Sequence, residues 1–88
     1  VSAKSTAFTA AVGFTYLVNT GTAVTVTLPS AVTNAAIVIK DSAGTAATNN
    51  ITINRADSAT IDGATSQTVS SNYGSMKLIS DGTNWFIT

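Results

Sequence analysis

Short stretches of alternating apolar and polar residues recur along the chain, separated by clusters of Gly, Asn, Asp and Ser. In the clearest one Val24, Val26 and Leu28 share one side, and two threonines occupy the other before a proline ends the run. Such period-two alternation predicts strands with one buried face. By this pattern strands are predicted at 14–18, 24–28, 37–40, 51–54, 59–61 and 66–70, and in two arms within 75–88.

The last fourteen positions predict a β-hairpin that ends the domain. Asp81-Gly82 is a strong turn dipeptide, because Gly accepts a positive φ without a Cβ clash and Asp tolerates one. Behind the turn stands Trp85, the one tryptophan, which a small domain normally buries. Strand alternation then turns Phe86 to the opposite side. We therefore predict one apolar face for the domain itself and one for a neighbouring subunit, with Trp85 and Phe86 as candidate interface residues.

No stretch shows sustained helical periodicity, although 30–36 has room for one helical turn with Ser30 as its N-cap. We expect an all-β fold, a small antiparallel sandwich or barrel of about seven to eight short strands assembled as a trimer. An intertwined β-helix-like trimer is the alternative, because the short strands and turns of 51–70 are also compatible with stacked coils. Residues 1–7 are predicted to be a linker or docking arm, and 8–88 a single domain.

The inward positions of these strands predict a modest core. Its members are Tyr16, Val18, Val24, Val26, Leu28, Ile37, Ile39, Ile51, Ile53, Ile61, Leu78 and Trp85.

Composition narrows the functional classes. The 88 residues include no Cys and no His, only 9% are charged, and the net charge is zero. Disulfides and thiolate metal sites are therefore excluded. The sequence has no basic patch, so we expect no nucleic-acid partner. No apolar run reaches the ~18–20 residues of a membrane helix. A domain this small usually needs additional support, and oligomerisation is the kind that this composition leaves open.

Few side chains offer chemistry. Asp57 and Asp62 are a conceivable carboxylate pair for glycoside hydrolysis, but turn carboxylates that cap backbone amides are the favoured interpretation. The same holds for Asp41 and Asp81 as oxygen ligands of calcium, since no known loop spacing is present. No nucleophile motif occurs. We predict no catalytic, cofactor-binding or metal-binding residue and no enzymatic activity. Tyr73, in a predicted turn, is the best surface aromatic and the candidate glycan contact.

Three blocks, read together, carry a family resemblance. They are residues 24–29, then 37–44 with 49–53, then 61–63 and 73–87, the last containing Ser80-Asp81-Gly82-Thr83-Asn84-Trp85. This series resembles a small C-terminal β module of tailed-bacteriophage tail fibres, spikes and other virion appendages. The resemblance implies a structural, non-enzymatic module located in the virion, usually trimeric and in contact with other virion proteins. Some relatives meet host surface glycans or proteins.

We therefore expect a phage appendage module that mediates host attachment as a homotrimer. A capsid decoration protein and a secreted carbohydrate-binding module are the alternatives.

Overall fold

The computed structural model describes every residue from Val1 to Thr88 and contains nine strands and no helix. The strands are β1 (Ser2–Lys4), β2 (Phe8–Thr9), β3 (Thr15–Val18), β4 (Val24–Thr27), β5 (Ala36–Asp41), β6 (Ile51–Asn54), β7 (Ser66–Val69), β8 (Ser75–Ser80) and β9 (Trp85–Ile87). Sheet 1 has the order β1-β3-β5-β8-β9, and sheet 2 the order β2-β4-β6-β7. The all-β prediction is confirmed, whereas the helical turn considered for 30–36 does not form.

The first six strands alternate between the two sheets, and within each sheet they pair in parallel. Parallel neighbours need a long crossover connection, and here the crossover is a strand of the opposite sheet. The chain from β1 to β6 therefore winds as irregular stacked coils around one core. Only β7, β8 and β9 pair antiparallel to their neighbours. The predicted antiparallel sandwich is wrong for this first part, because period-two patterning reports the buried face and not the strand direction.

The β-helix alternative predicts intertwined coils of three chains, at residues 51–70. The structure instead has stacked coils within a single chain, between β1 and β6. Over 51–70, β6 and β7 form an antiparallel pair, and Ile61 makes only isolated bridges, to Ala64 and to Trp85.

The core lies between the two sheets and contains all twelve residues that the alternation predicted. Tyr16 closes one side, with the ring of Phe8 at 4.7 Å and that of Phe14 at 5.7 Å between centroids. The small side chains and the late core positions were not anticipated. They are Ala10, Ala35, Ala46, Ala59, Val69 and Met76.

The predicted N-terminal arm is part of the fold. Ser2–Lys4 pairs with β3 as the edge strand of sheet 1, so the expectation of a linker over 1–7 is wrong for these residues. Lys4 alternates toward the interior and holds its ammonium 5.5 Å from the centroid of the Phe8 ring. An inward-pointing charge on an edge strand opposes pairing with another chain. At the opposite edge, β9 is covered by residues 60–62.

The connections gather at two ends of the strands. The Asp41 end, where β5 finishes, holds the loops 5–7, 19–23, 42–50 and 70–74. The Trp85 end, where β9 starts, holds the loops 10–14, 28–35, 55–65 and 81–84.

The terminal hairpin is confirmed, with a turn longer than the dipeptide suggested. Ser80 pairs with Trp85, so four residues connect the strands. Gly82 has φ +97, and a Cβ there would come within 2.5 Å of Thr33 Oγ1. The two-residue turn with both φ values positive is Asp62-Gly63 instead, the geometry that hairpin turns of this length favour.

Candidate functional site

Two surface features stand out from an otherwise polar, weakly charged exterior. One is the set of loops at the Asp41 end, which displays Tyr73. The other is the outer face of sheet 1, which displays Ile79 and Phe86.

The loops of the Asp41 end are tied to one another by hydrogen bonds. Thr45 Oγ1 donates to the Thr20 carbonyl at 3.3 Å, which joins the β3–β4 and β5–β6 loops. The amide of Ala47 donates to Asn72 Oδ1 at 3.0 Å, which adds the β7–β8 loop. Three segments distant in sequence therefore form one surface.

The carboxylate of Asp41 lies beneath this surface and is 2% exposed. Oδ1 accepts hydrogen bonds from the amides of Ala43 and Gly44, both at 3.1 Å. Oδ2 accepts from the amides of Ala46 at 2.9 Å and Tyr73 at 3.0 Å. Burial alone raises the pKa of Asp41, but these four backbone donors outweigh it and the pKa lies below its usual value. The carboxylate thus stays ionised and fixes two loops at once.

Tyr73 is held in a conformation that a tyrosine rarely adopts. Its φ is +59, in the left-handed region that non-glycine residues avoid, and its side chain is 60% exposed. The ring lies across Gly44, where a Cβ would approach the ring carbons to 2.5 Å. Lys40 Nζ donates to the Tyr73 carbonyl and lies 5.9 Å from the centroid of the ring. The predicted glycan contact is therefore an exposed, positioned ring with a cation beside it.

The outer face of sheet 1 is apolar where the outer face of sheet 2 is not. We call its apolar part the apolar face, and its residues alternate with core residues along β3, β5, β8 and β9. Its members are Leu17, Ala36, Val38, Ile79 and Phe86.

Ile79 and Phe86 are direct cross-strand partners, and each is 39% exposed. The corresponding positions of sheet 2 are hydroxyls and an amide, with Thr25, Thr52 and Thr68 in one row across the strands.

Of the two candidate interface residues, only Phe86 presents a surface to a neighbour. Trp85 is completely buried in the core of its own chain, so its assignment to an interface is wrong, and its core assignment holds. Its indole N–H has no hydrogen-bond partner in the core.

The remaining carboxylates accept hydrogen bonds from backbone amides. The turn interpretation is correct for Asp57 and Asp81, which cap their own turns, but Asp62 binds an amide of β9 and not one of its own turn. Asp57 Oδ1 accepts from Ala59 at 3.0 Å, and Asp62 Oδ1 from Ile87 at 3.2 Å. Asp81 Oδ1 accepts from Thr83 and Asn84, both at 2.9 Å, and these bonds lower the pKa of Asp81. No three acidic side chains converge on a point that would hold a metal ion.

The surface has no concave pocket, and no helix of the chain is long and apolar enough to span a membrane. No protein-family model matches the chain, and no curated protein is significantly similar to it.

Sequence reasoning missed the central part of the Tyr73 surface. Asp41 looked like one more turn carboxylate, and Lys40 and Gly44 were not singled out. The available signal was the order of the residues. Here an Asp ends a strand and is followed by small residues and a Gly. Such an Asp can accept hydrogen bonds from the amides of its own loop.

Proposed function

We propose that this chain is a non-enzymatic structural module of a bacteriophage virion appendage, a tail fibre or spike tip, that assembles as a homotrimer and mediates attachment to the host surface. The resemblance of the three sequence blocks motivates the virion. The structural observation that supports assembly is the apolar face, because exposed Ile79 and Phe86 sit side by side on a sheet that is otherwise well formed. Apolar patches of a few hundred Å² are often functional, so this face is the candidate contact surface.

The size of the apolar face favours a ring over a simple dimer. Its four strands have four, six, six and three residues, so at about 4.8 Å between strands and about 3.3 Å per residue they cover roughly 300 Å², whereas a standard interface buries about 800 Å² per partner. Two such faces packed together fall below that size. In a ring, each copy packs its apolar face against one neighbour and a different surface against the second neighbour. This arrangement doubles the buried area per copy.

Charge supplies the complementary surface. Lys77 lies on the outer face of sheet 1 between Val38 and the end of β9, next to the apolar face. Asp62 lies beyond the edge of β9, where it accepts from the Ile87 amide, level with the neighbouring pair Leu78–Ile87. In a ring with parallel copies, the face of one copy meets the β9 edge of the next at the same height. Lys77 then pairs with Asp62 of the next copy.

The test is the mass of the assembly in solution by light scattering and native mass spectrometry. We expect a trimer for the native chain and a monomer for Phe86→Ser, with Tyr73→Asn, which removes an exposed aromatic at the Asp41 end, remaining trimeric. A native chain that is monomeric at micromolar concentration refutes the assembly, and with it this function.

A second pair of variants tests the ring arrangement. Lys77→Glu should dissociate the trimer by placing two carboxylates together, and adding Asp62→Asn should restore it. Asn suits position 62 because it tolerates the positive φ and keeps an acceptor for Ile87. If Asp62→Asn has no effect in the Lys77→Glu background, the ring contact is wrong.

Location on the particle tests the remainder of the proposal. Antibody labelling of virions should mark the tail appendage. Label on the shell would instead assign the module to capsid decoration, and a monomer that binds sugars would assign it to a secreted carbohydrate-binding module.

A further inference from the structure

The exposed ring of Tyr73 and the ammonium of half-buried Lys40 lie together at the Asp41 end. Lys40 is on the outer face of sheet 1, beside Leu17 at the border of the apolar face, whereas Tyr73 belongs to the β7–β8 loop beyond that face. Both are held in place by the buried carboxylate of Asp41 and the loops that it organises.

Three contacts hold Tyr73, two at its backbone and one at its ring. Its backbone amide donates to Asp41 Oδ2 at 3.0 Å, its carbonyl accepts from Lys40 Nζ, and one side of the ring rests on Gly44. A residue whose backbone is held before binding loses less conformational entropy when a ligand stacks on its ring.

The cation at this site faces no exposed carboxylate. The hydrogen bond of Lys40 goes to a backbone carbonyl, and Asp41 directs both oxygens to four amides. The loops of the Asp41 end contain no charged residue, and the exposed Asp57, Asp62 and Asp81 all belong to loops of the Trp85 end. In a chain of zero net charge, the outward-facing charge of this end is therefore positive.

The surroundings of the ring are uncharged hydrogen-bonding groups. The β7–β8 loop presents two serines and Asn72 beside Tyr73, and the β5–β6 loop ends in Asn49 and Asn50. With no concave pocket present, a ligand lies on this surface and is not enclosed by it. A pyranose fits, because it has an apolar face for the ring and hydroxyls for the amides.

We propose that Tyr73 and Lys40 form a binding site for an acidic saccharide. The phenol ring stacks on the apolar face of a sugar ring, and the ammonium pairs with the carboxylate or phosphate that the sugar carries. This inference rests on the proposed attachment function and names the ligand class for it.

The experiment is a titration of the isotopically labelled chain, followed by backbone amide NMR shifts. Three probes are compared: a tetramer of galacturonate, the neutral tetramer of galactose, and the same galactose tetramer carrying phosphate groups. We expect shifts confined to Lys40, Gly44 and Tyr73 and their neighbours, with an acidic probe binding about tenfold more tightly than the neutral one, the factor that about 1.4 kcal/mol supplies. Which acidic probe binds better identifies the anion as carboxylate or phosphate.

Two variants and a control locate the site. Tyr73→Asn removes the ring but keeps a residue that accepts the left-handed backbone, and Lys40→Gln removes the charge. We expect Tyr73→Asn to weaken binding of the acidic probe about tenfold, and Lys40→Gln to abolish the preference for acidic over neutral sugar. Thr68→Ala, on the outer face of sheet 2, should change nothing. Thermal unfolding of each variant verifies that it is folded.

The proposal is overturned if no probe shifts these amide signals at a probe concentration of about 20 mM, because the dissociation constant would then be too high for specific binding. It is equally overturned if neutral and acidic probes bind alike, or if Tyr73→Asn binds within twofold of the native chain. Light scattering on the same samples separates this inference from the assembly. A trimer that binds no sugar refutes only the saccharide site. A monomer that binds the acidic sugar keeps the saccharide site but refutes the proposed appendage function and favours a carbohydrate-binding module.

Discussion

Replacing Asp41 by Asn tests whether this carboxylate organises the Asp41 end. The two side chains have nearly the same shape, and the Asn carbonyl can take over the bonds from the amides of Ala43 and Gly44. Its NH₂ group then faces the amides of Ala46 and Tyr73, donor against donor. Each buried N–H left without an acceptor costs about 1–3 kcal/mol. Because the Ala46 amide is buried and the Tyr73 amide only partly buried, we expect the lower part of the range for two such groups, a loss of about 2–4 kcal/mol in the free energy of unfolding.

That loss is large for a chain of this size. Stabilities of about 0.05–0.15 kcal/mol per residue are usual, and one kcal/mol shifts the melting temperature of a small domain by about 4–8 °C. Urea and thermal unfolding at pH 7, monitored by Trp85 fluorescence, measure the change. Asp57→Asn is the matched control, because Asp57 caps one amide in an exposed turn and its replacement should cost less than about 1 kcal/mol.

The pH dependence gives the same test a second arm. The pKa of Asp41 is lowered from 3.8 in the folded chain, so the unfolded chain binds this proton first as the pH falls. The stability that Asp41 contributes is therefore complete above about pH 5, where the carboxyl is ionised in both states. It decreases once the pH falls below the pKa of the unfolded chain and is lost as the pH falls through the lower pKa of the folded chain. The gap between native chain and Asp41→Asn should narrow from pH 6 to pH 3. An Asp41→Asn chain within about 1 kcal/mol of native at pH 7, or a gap that stays constant with pH, refutes the reasoning.

The remaining predictions concern single contacts. Gly44→Ala places a Cβ against the Tyr73 ring at a backbone with φ +75, so we expect a loss of about 1–3 kcal/mol and shifted Tyr73 NMR signals; Gly21→Ala, with open space around it, should be nearly neutral. Asn84→Ala removes the acceptor of a Thr60 amide and hydroxyl and should cost about 1–3 kcal/mol in urea unfolding. A cost below about 0.5 kcal/mol for either disruptive change would contradict these assignments.

The alternation of apolar residues was sufficient to predict which side chains are buried, because burial follows from strand geometry alone. Val24, Val26 and Leu28 pointed inward whichever strand lay next to them. Strand direction was not available from that pattern. It depends on the path of the chain between sheets, and the loops that lead from one sheet to the other resemble ordinary hairpin loops in composition. The arm at Ser2–Lys4 was missed for a related reason, since a three-residue strand with an inward Lys has no apolar signal.

The Ser80–Trp85 block shows what such a motif does physically. Asp81 caps the turn, Gly82 makes room for Thr33, Asn84 holds the segment at Thr60, and Trp85 fills the core. These four residues of the six have folding roles, so the block indicates a fold. The groups that suit binding, Tyr73 and Lys40, became recognisable only when the fold brought 42–50 and 70–74 together.

The difference between the two outer sheet faces leads to a last prediction. Val38 and Thr52 occupy equivalent positions, each on the outer side of a strand that has neighbours on both sides within its sheet. A lysine at either position can extend to water in an isolated chain, because both sites are only half-buried, and so neither change should prevent folding. If the apolar face is covered in the assembly, Val38→Lys buries an unpaired charge there. An uncompensated buried charge costs several kcal/mol, so this variant should dissociate the trimer. Thr52→Lys introduces the same charge on the free face and should leave the trimer intact. Sedimentation of the two variants side by side measures the outcome. Dissociation by Thr52→Lys alone would mean that sheet 2 and not sheet 1 forms the contact, and dissociation by both would contradict the special role of the apolar face.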